Sequence, residues 1–232
     1  MNTPEVENDQ NELTGSYTFD QLSERAQQRA LDTTRDWNID DGWWDCVYED
    51  AVHMASLMGI KIDTDSRRTR NNSSAKYPRI YFSGFWSQGD GASFSGSYAC
   101  RPNAVKDITM ERDDPILIAI AEELTALQVS ATFEFGYPFV CSITTGSQNS
   151  HSGTMDISNV ELDGCDDGAA KRWSARTTWD LDNDALDALD LFRRFADWIY
   201  AQLKTEYEYL TSDAIIKEVL VERLFDADGD II

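Results

Sequence analysis

The sequence has few histidines and no long apolar run. His53 and His151 are the only two histidines among the 232 residues, so general bases for a hydrolase or a transferase are scarce. No stretch approaches the roughly 18 continuous apolar residues of a membrane-spanning helix. The N-terminus is polar and acidic, whereas a signal peptide begins basic and continues apolar. We therefore expect a cytoplasmic protein that is neither secreted nor inserted into a membrane.

Cysteines are also scarce, and their spacing does not pair them. The four cysteines lie far apart, at Cys46, Cys100, Cys141 and Cys165. A chain of this length can bury a sizeable core without disulfide bonds. No two Cys or His residues stand at the spacing of zinc ligands. This pattern predicts free thiols in a reducing compartment, with no metal ion and no cofactor.

Basic residues are few relative to acidic ones. The chain has 20 Lys and Arg against 42 Asp and Glu, a formal net charge of −22, and the acids are concentrated on both sides of a mildly basic stretch at 61–110. Such a field repels phosphate, so it disfavours direct nucleic-acid binding and favours a basic partner surface. Solubility or a salty habitat would also explain the acidity. The arginines of 61–79 predict a solvated polar loop, or a contact with an acidic partner or a second copy of the chain.

Apolar residues recur at helical spacing in several segments. Residues 1–16 are polar, acidic and aperiodic, which predicts a disordered tail, and 17–232 are predicted to form a single domain. Asp114 and Pro115 are typical of a helix start, and Gly59 is typical of a helix end. Helices are predicted at 18–36, 42–58, from 115 onwards, 184–208 and 212–225.

Alternating side chains predict strands in the middle of the chain. Residues 80–87 and 92–98 alternate in character, and the turn between them contains two glycines around Asp90, which is typical of a hairpin. Further strands are predicted near 129–144, 151–162 and 171–180. The expected fold is α+β, an antiparallel sheet of about five strands with N-terminal and C-terminal helices packed on one face.

Known catalytic and ligand-binding motifs do not match. The glycine-rich stretch 83–96 is not a phosphate-binding loop, because Ser97 stands where lysine is required. The aspartates of 180–184 do not begin an EF-hand, because Leu191 stands where a chelating glutamate is required. With so many acids, no single pair of carboxylates is indicated for acid–base catalysis. We therefore predict a binding protein, not an enzyme, and assign no catalytic residue.

Acidic residues recur along the last long predicted helix. Acids three or four residues apart on a helix are separated by roughly 4.5–6 Å along its axis, a spacing comparable with that of phosphates on a strand. A simpler explanation is that Asp184 and Asp187 stabilise the helix N-terminus through its dipole. We predict a partner-binding surface made of Asp180, Asp182, Asp184, Asp187, Asp190, Glu206 and Glu208.

The glycine-rich hairpin is a second candidate site for a ligand or a partner. Its predicted residues are Trp86, Gln88, Asp90 and Phe94, together with His151. A small-ligand or enzymatic role requires His151 beside Asp90 in a concave pocket. If the hairpin instead grips a protein, its aromatic residues should matter more than the aspartates of the helix.

The segment from Phe82 to Phe94, FSGFWSQGDGASF, resembles a motif of small phage and prophage proteins with no established activity. Some of those relatives carry the label antitoxin of a toxin–antitoxin system. The resemblance implies a phage or mobile-element origin, action inside an infected bacterial cell and no known cofactor. It also includes Phe19 to Asp45, Ser150-His151, Trp198 to Ser212 and Phe225 to Gly229.

Three functions follow from these patterns. The first is an acidic phage-encoded inhibitor that occupies the basic nucleic-acid-binding surface of a host restriction or CRISPR complex. The second is an antitoxin or regulator that binds a protein toxin. The third is a small-ligand binding protein or enzyme that uses the glycine-rich hairpin.

Overall fold

The computed structural model describes residues 15–40, 42–68, 74–146, 150–162 and 181–232. Within these ranges the chain forms six α-helices, one four-stranded antiparallel sheet and two hairpins of two strands each. The predicted α+β class with an antiparallel sheet is therefore confirmed, although its strands divide into a sheet and two separate hairpins. The predicted strand at 171–180 and most of the predicted tail at 1–16 lie outside the described residues.

The chain divides into two compact units. The larger unit is Asp45–Leu203, and the smaller unit combines the residues up to Trp44 with Lys204–Ile232. The larger unit is one continuous stretch, whereas the smaller unit draws on both ends of the chain. The single domain expected over 17–232 stays a prediction.

The larger unit contains eight described strands. They are β1 Ile60–Ile62, β2 Thr64–Arg68, β3 Ser74–Pro78, β4 Ile80–Phe82, β5 Ala92–Phe94, β6 Gly96–Tyr98, β7 Phe139–Thr145 and β8 Met155–Leu162. The sheet has the order β1-β6-β7-β8, and β2–β3 and β4–β5 are the hairpins. Glycine is required at the start of β6, because a Cβ on Gly96 would collide with the carbonyl oxygen of Lys61 on β1.

Helices of the larger unit pack aromatic side chains against these strands. In chain order, the helices begin with α1 Glu24–Thr34, which belongs to the smaller unit. The larger unit contains α2 Asp45–Leu57, α3 Ala104–Glu111, α4 Pro115–Phe135 and the part of α5 Leu181–Leu210 that runs to Leu203. Phe192 on α5 lies 5.4 Å from Tyr98, and Phe195 lies 5.6 Å from Phe94, measured between ring centroids. These contacts hold α5 against β6 and β5. Aromatic pairs at such distances stabilise the packing beyond the burial of their apolar area.

Helix α4 begins where the sequence predicts, and both of its ends are capped. The Asp114 carboxylate accepts the N–H groups of Ile116 and Leu117, and Gly136 ends the helix in the left-handed conformation with φ of 80°. The helix therefore occupies the first part of the strand predicted at 129–144, which begins only at β7. By length and composition alone, Pro115–Phe133 would be apolar enough to cross a membrane, a test that the core helix of a soluble protein also passes.

The smaller unit contains α1 Glu24–Thr34, α6 Asp213–Leu220 and the C-terminal end of α5. Its core is a cluster of buried apolar residues: Phe19, Leu22, Ala26, Ala30, Leu31, Ile216, Leu220 and Phe225. Tyr17 and Phe225 form an antiparallel bridge, and their backbone hydrogen bonds measure 2.8 and 2.9 Å. The helix predicted from 18 begins later, since Ser23 is its N-cap and Phe19–Gln21 form a 3-10 turn.

Two elements differ from the sequence-based expectation. The polar loop predicted at 61–79 contains the hairpin β2–β3, in which Asp65 pairs with Tyr77 and Arg67 pairs with Ala75. Helix α3 was not expected, because only Ala104 and Ile108 of its eight residues are buried. In both segments the apolar residues of the sequence are too few to produce a clear period.

Candidate functional site

A groove between α4 and α5 contains two of the aspartates predicted to bind a partner. Its volume is about 500 Å³. We call it the acidic groove, and its lining residues are Glu123, Ala126, Leu127, Ser130, Asp187, Asp190 and Leu191. The acids therefore come from two helices, and the α4 residues give the groove an apolar floor.

The charge of the acidic groove is carried by Asp187 and Asp190. Arg194 neutralises Glu123, because its Nη1 donates to both carboxylate oxygens, at 2.8 and 2.9 Å. Asp187 and Asp190 are exposed, and within the described residues neither forms an ion pair. They are three positions apart in the helix, which corresponds to a rise of about 4.5 Å along its axis. The groove thus presents two uncompensated carboxylates to solvent.

The other predicted acids do not belong to the described lining of the acidic groove. Asp180 lies outside the described residues, and Asp182 and Asp184 lie on α5 at positions whose side chains are not described. Glu206 is half-buried and Glu208 is exposed, and both belong to the smaller unit, where Lys204 Nζ lies 3.8 Å from Glu208. The structure therefore brings together Asp187 and Asp190 and adds Glu123, which the sequence did not single out.

The turn between β4 and β5 is organised around one carboxylate. Asp90 Oδ2 accepts the backbone N–H of Trp86 at 2.7 Å and that of Ser87 at 2.6 Å. Gly84 and Gly89 have φ of 110° and 94°, a conformation that favours glycine. We call residues 83–91 the Trp86 turn. Its backbone is fixed by Asp90, so the side chains it carries are presented in a defined position.

Trp86 and Phe94 have opposite environments. Trp86 is 80% exposed and Gln88 is also exposed, whereas Phe94 is completely buried against Phe195. Phe94 therefore belongs to the core, and it is not available for the partner contact predicted for it. A tryptophan this exposed is unusual, because burying its ring from water is strongly favourable.

His151 lies against the Trp86 turn but is not paired with Asp90 in the described contacts. A Cβ on Gly91 would lie 2.7 Å from the Cβ of His151, so the two backbones are adjacent. Ser83 Oγ bridges the same place, accepting the N–H of Gly91 and donating to the carbonyl of Ser150, both at 3.3 Å. The Asp90 carboxylate instead bonds to its own turn. This geometry does not provide the base oriented by an acid that nucleophilic catalysis requires.

Tyr200 supports the Trp86 turn from α5, a role that the sequence did not indicate. Its hydroxyl donates to the carbonyl of Gly84 at 3.0 Å, and its ring centroid lies 5.5 Å from that of Phe85. Burial, with a smaller contribution from the charge of Asp90, raises the pKa of Tyr200. The described residues contain no group of three or more His, Cys, Asp or Glu arranged to hold a metal ion.

One comparison with known proteins gives a match. A family model described as "Domain of unknown function (DUF8835)" matches residues 43–213. The matched range contains the larger unit, the Trp86 turn, the acidic groove and the Trp198 to Ser212 segment. No curated protein and no solved structure matches. This match shows a family of unknown function, whereas the link to phage proteins and to antitoxins stays a prediction.

Proposed function

Because the chain belongs to this family of unknown function, we propose its role from the geometry of its own surfaces: it binds and inhibits another protein through the acidic groove. The observation that carries the proposal is the pair Asp187 and Asp190, exposed and without an ion pair in the described structure. The target is a basic nucleic-acid-binding surface, as found on a restriction or CRISPR complex of an infected bacterial cell. The phage origin and the cytoplasmic site of action rest on the resemblance of the hairpin motif.

The two carboxylates suit the side chains that bind phosphates. Arg and Lys of a nucleic-acid-binding groove lose their counterions when an acidic surface replaces the nucleic acid, as they do when phosphate binds. Carboxylates accept bidentate hydrogen bonds from arginine, which makes such pairs directional. Neither Asp187 nor Asp190 has to break an internal ion pair of the described chain before it binds. The apolar floor at Leu127 and Leu191 accommodates the aliphatic part of an arginine or lysine side chain.

The net charge of −22 contributes to binding by raising the rate of association with a basic surface. A strongly acidic protein is steered towards a basic surface, and this steering weakens as salt increases. Affinity that depends on salt alone would reflect the whole field of the protein. Affinity that depends on Asp187 and Asp190 in particular would reflect the groove.

The test compares two charge-reversal variants that change the net charge equally. One is Asp187→Lys with Asp190→Lys, in the groove; the control is Asp113→Lys with Glu161→Lys, at exposed positions outside it. The target is first captured from host lysate at low salt, and binding is then measured with the purified target. We expect the groove variant to lose about tenfold or more in affinity and the control to lose less than about threefold.

Added DNA or RNA should displace the protein from its purified target, since the two compete for one surface. Equal losses in the two variants would show that only net charge matters. Unchanged binding of the groove variant, or no displacement by nucleic acid, would disprove the proposal.

A second function is favoured by the exposure of Trp86. Tryptophan is enriched among the residues that dominate protein–protein affinity, and the Asp90 carboxylate fixes the backbone that carries it. This geometry suits an antitoxin or regulator that inserts Trp86 into a pocket of a protein toxin. Trp86→Ala should then abolish binding while Gln88→Ala, in the same turn, leaves it nearly unchanged. Retained binding by Trp86→Ala would exclude this second function.

A further inference from the structure

A second concavity of the larger unit is apolar. It lies where α4 faces the end of β6 and the start of α3, and its volume is about 450 Å³. We call it the apolar pocket. The lining residues that matter here are Met58, Tyr98, Cys100, Leu124, Val129 and Phe133. It shares no lining residue with the acidic groove, although α4 contributes a face to each.

The floor of the apolar pocket is already built. Gln128 is 4% exposed, its amide donates to the carbonyl of Phe139 at 2.8 Å, and its oxygen accepts the N–H of Phe139 at 3.0 Å. Leu124 and Tyr98 are buried beside it. The side-chain amide of Gln128 is already hydrogen-bonded, so it does not require a polar ligand. The floor can therefore receive an apolar ligand without rearrangement.

The pocket is electrically neutral in a strongly acidic protein. Arg101 is its one charged lining side chain in the described structure, and Asp107 Oδ2 accepts hydrogen bonds from Nη2 at 2.9 Å and Nε at 3.2 Å. This ion pair offsets the charge at the pocket edge. A site without net charge favours an uncharged ligand, because an ion would lose hydration there without gaining an opposite charge.

The rim exposes large apolar side chains. Phe133 is 90% exposed and Val129 is 63% exposed, and they are four residues apart, so they lie on the same face of α4. Apolar area of this kind, next to a preformed pocket, is the feature by which ligand sites are recognised.

From these observations we propose that the apolar pocket binds a small, uncharged, largely apolar molecule such as an aromatic ring system. The ligand packs on Leu124 and Met58, and Val129 and Phe133 cover it. The proposal is independent of the acidic groove, since no residue is shared, and either can fail alone.

Cys100 permits a direct test. It lines the pocket and is accessible, whereas Cys46 is accessible but does not line it and Cys141 is buried. The probe is N-phenyl-1-naphthylamine, an uncharged dye whose fluorescence increases in apolar sites. Alkylation by iodoacetamide is followed at each cysteine by peptide mass spectrometry, with and without the dye.

We expect the dye to bind with a stoichiometry of one and to protect Cys100 selectively. At a concentration ten times its dissociation constant, it should slow alkylation of Cys100 by about tenfold, because the free fraction falls by that factor. Alkylation of Cys46 should not change. Equal rates at Cys100 with and without the dye would disprove the proposal, as would equal protection of both cysteines.

A pair of threonine variants places the dye. Thr132 lines the pocket and Thr109 is an exposed helical threonine outside it. Thr132→Trp should weaken dye binding by about tenfold because the indole occupies pocket volume, and Thr109→Trp should bind as the natural chain does.

If the pocket is instead covered by a second copy of the chain, Cys100 will be protected before dye is added and protection will increase with protein concentration. That outcome would also overturn the proposal.

Discussion

The carboxylate of Asp90 accepts the backbone N–H of Trp86 at 2.7 Å, so a half-buried acid fixes the most prominent exposed aromatic residue of the hairpin. Asp90→Ala removes this bond and the bond to Ser87. We expect unfolding free energy to fall by about 1–2 kcal/mol, because hydrogen bonds to a charged group contribute more than neutral ones but these are partly solvated. Hydrogen exchange at the amides of residues 86 and 87 should accelerate.

Asp90→Asn is the control for this turn, since its amide oxygen retains one acceptor. In this variant, the backbone amides of residues 86 and 87 should exchange at an intermediate rate. Unchanged protection of both amides in Asp90→Ala would show that Asp90 does not organise the turn.

The start of α4 offers a pair of adjacent aspartates with different contacts. Asp114 caps the helix and also accepts the indole N–H of Trp198 at 2.8 Å, whereas Asp113 is exposed and makes neither contact. Asp114→Ala should lower the unfolding free energy by about 1–3 kcal/mol. Asp113→Ala should change it by less than about 0.5 kcal/mol. Urea denaturation measures both, and equal effects would contradict the assignment of the cap.

The contact of Gly91 with His151 predicts that even alanine is unfavourable at this position. A Cβ at Gly91 would stand 2.7 Å from the Cβ of His151, whereas a Cβ at Gly146 would meet its nearest atom at 3.8 Å. Gly91→Ala should destabilise the protein by about 1–3 kcal/mol through overpacking. Gly146→Ala should have an effect within about 0.5 kcal/mol. A Gly91→Ala variant as stable as Gly146→Ala would show that the loop at His151 moves freely.

Buried acids of high pKa predict the behaviour of the larger unit at alkaline pH. Burial raises the pKa of the Cys141 thiol from 9.0 to about 12, and burial also raises the pKa of Tyr98. The folded state therefore resists deprotonation that the unfolded chain permits. Stability from Cys141 is complete below pH 9 and is lost progressively as pH rises towards 12.

The urea concentration at the midpoint of unfolding should consequently decrease as pH rises from 9 to 11. Cys141→Ala should make this decrease less steep. Cys46→Ala, at an exposed position, should leave the slope unchanged. A slope that is equal in the natural chain and in Cys141→Ala would contradict the predicted role of this thiol.

Local signals predicted the ends of several helices correctly. Asp114 is an N-cap as expected, Ser212 caps the helix that was predicted from residue 212, and Gly59 follows α2 with φ of 86°. Caps and glycine ends depend on neighbouring residues, so they can be read from a short window. The hairpin β2–β3 could not be recognised in this way, because its sequence is mostly polar and does not alternate between apolar and polar residues.

The candidate site was predicted only in part for a related reason. Asp187 and Asp190 share a helix face, and that relation follows from their spacing. Glu123 joins them through the packing of α4 against α5, and its contact with Arg194 spans 71 residues of sequence. The burial of Phe94 is likewise a tertiary result, since alternation gives the two faces of a strand but does not say what covers each one.

The bridge between Tyr17 and Phe225 has a consequence for how the protein is made. During synthesis, Asp45–Leu203 leaves the ribosome as one continuous stretch and can form its contacts in order. Tyr17 must wait until Phe225 has emerged before the core around Phe19 and Leu220 can close. The smaller unit is therefore completed last, and a ribosome that stalls before residue 225 would release a chain whose N-terminal helix has no core to join.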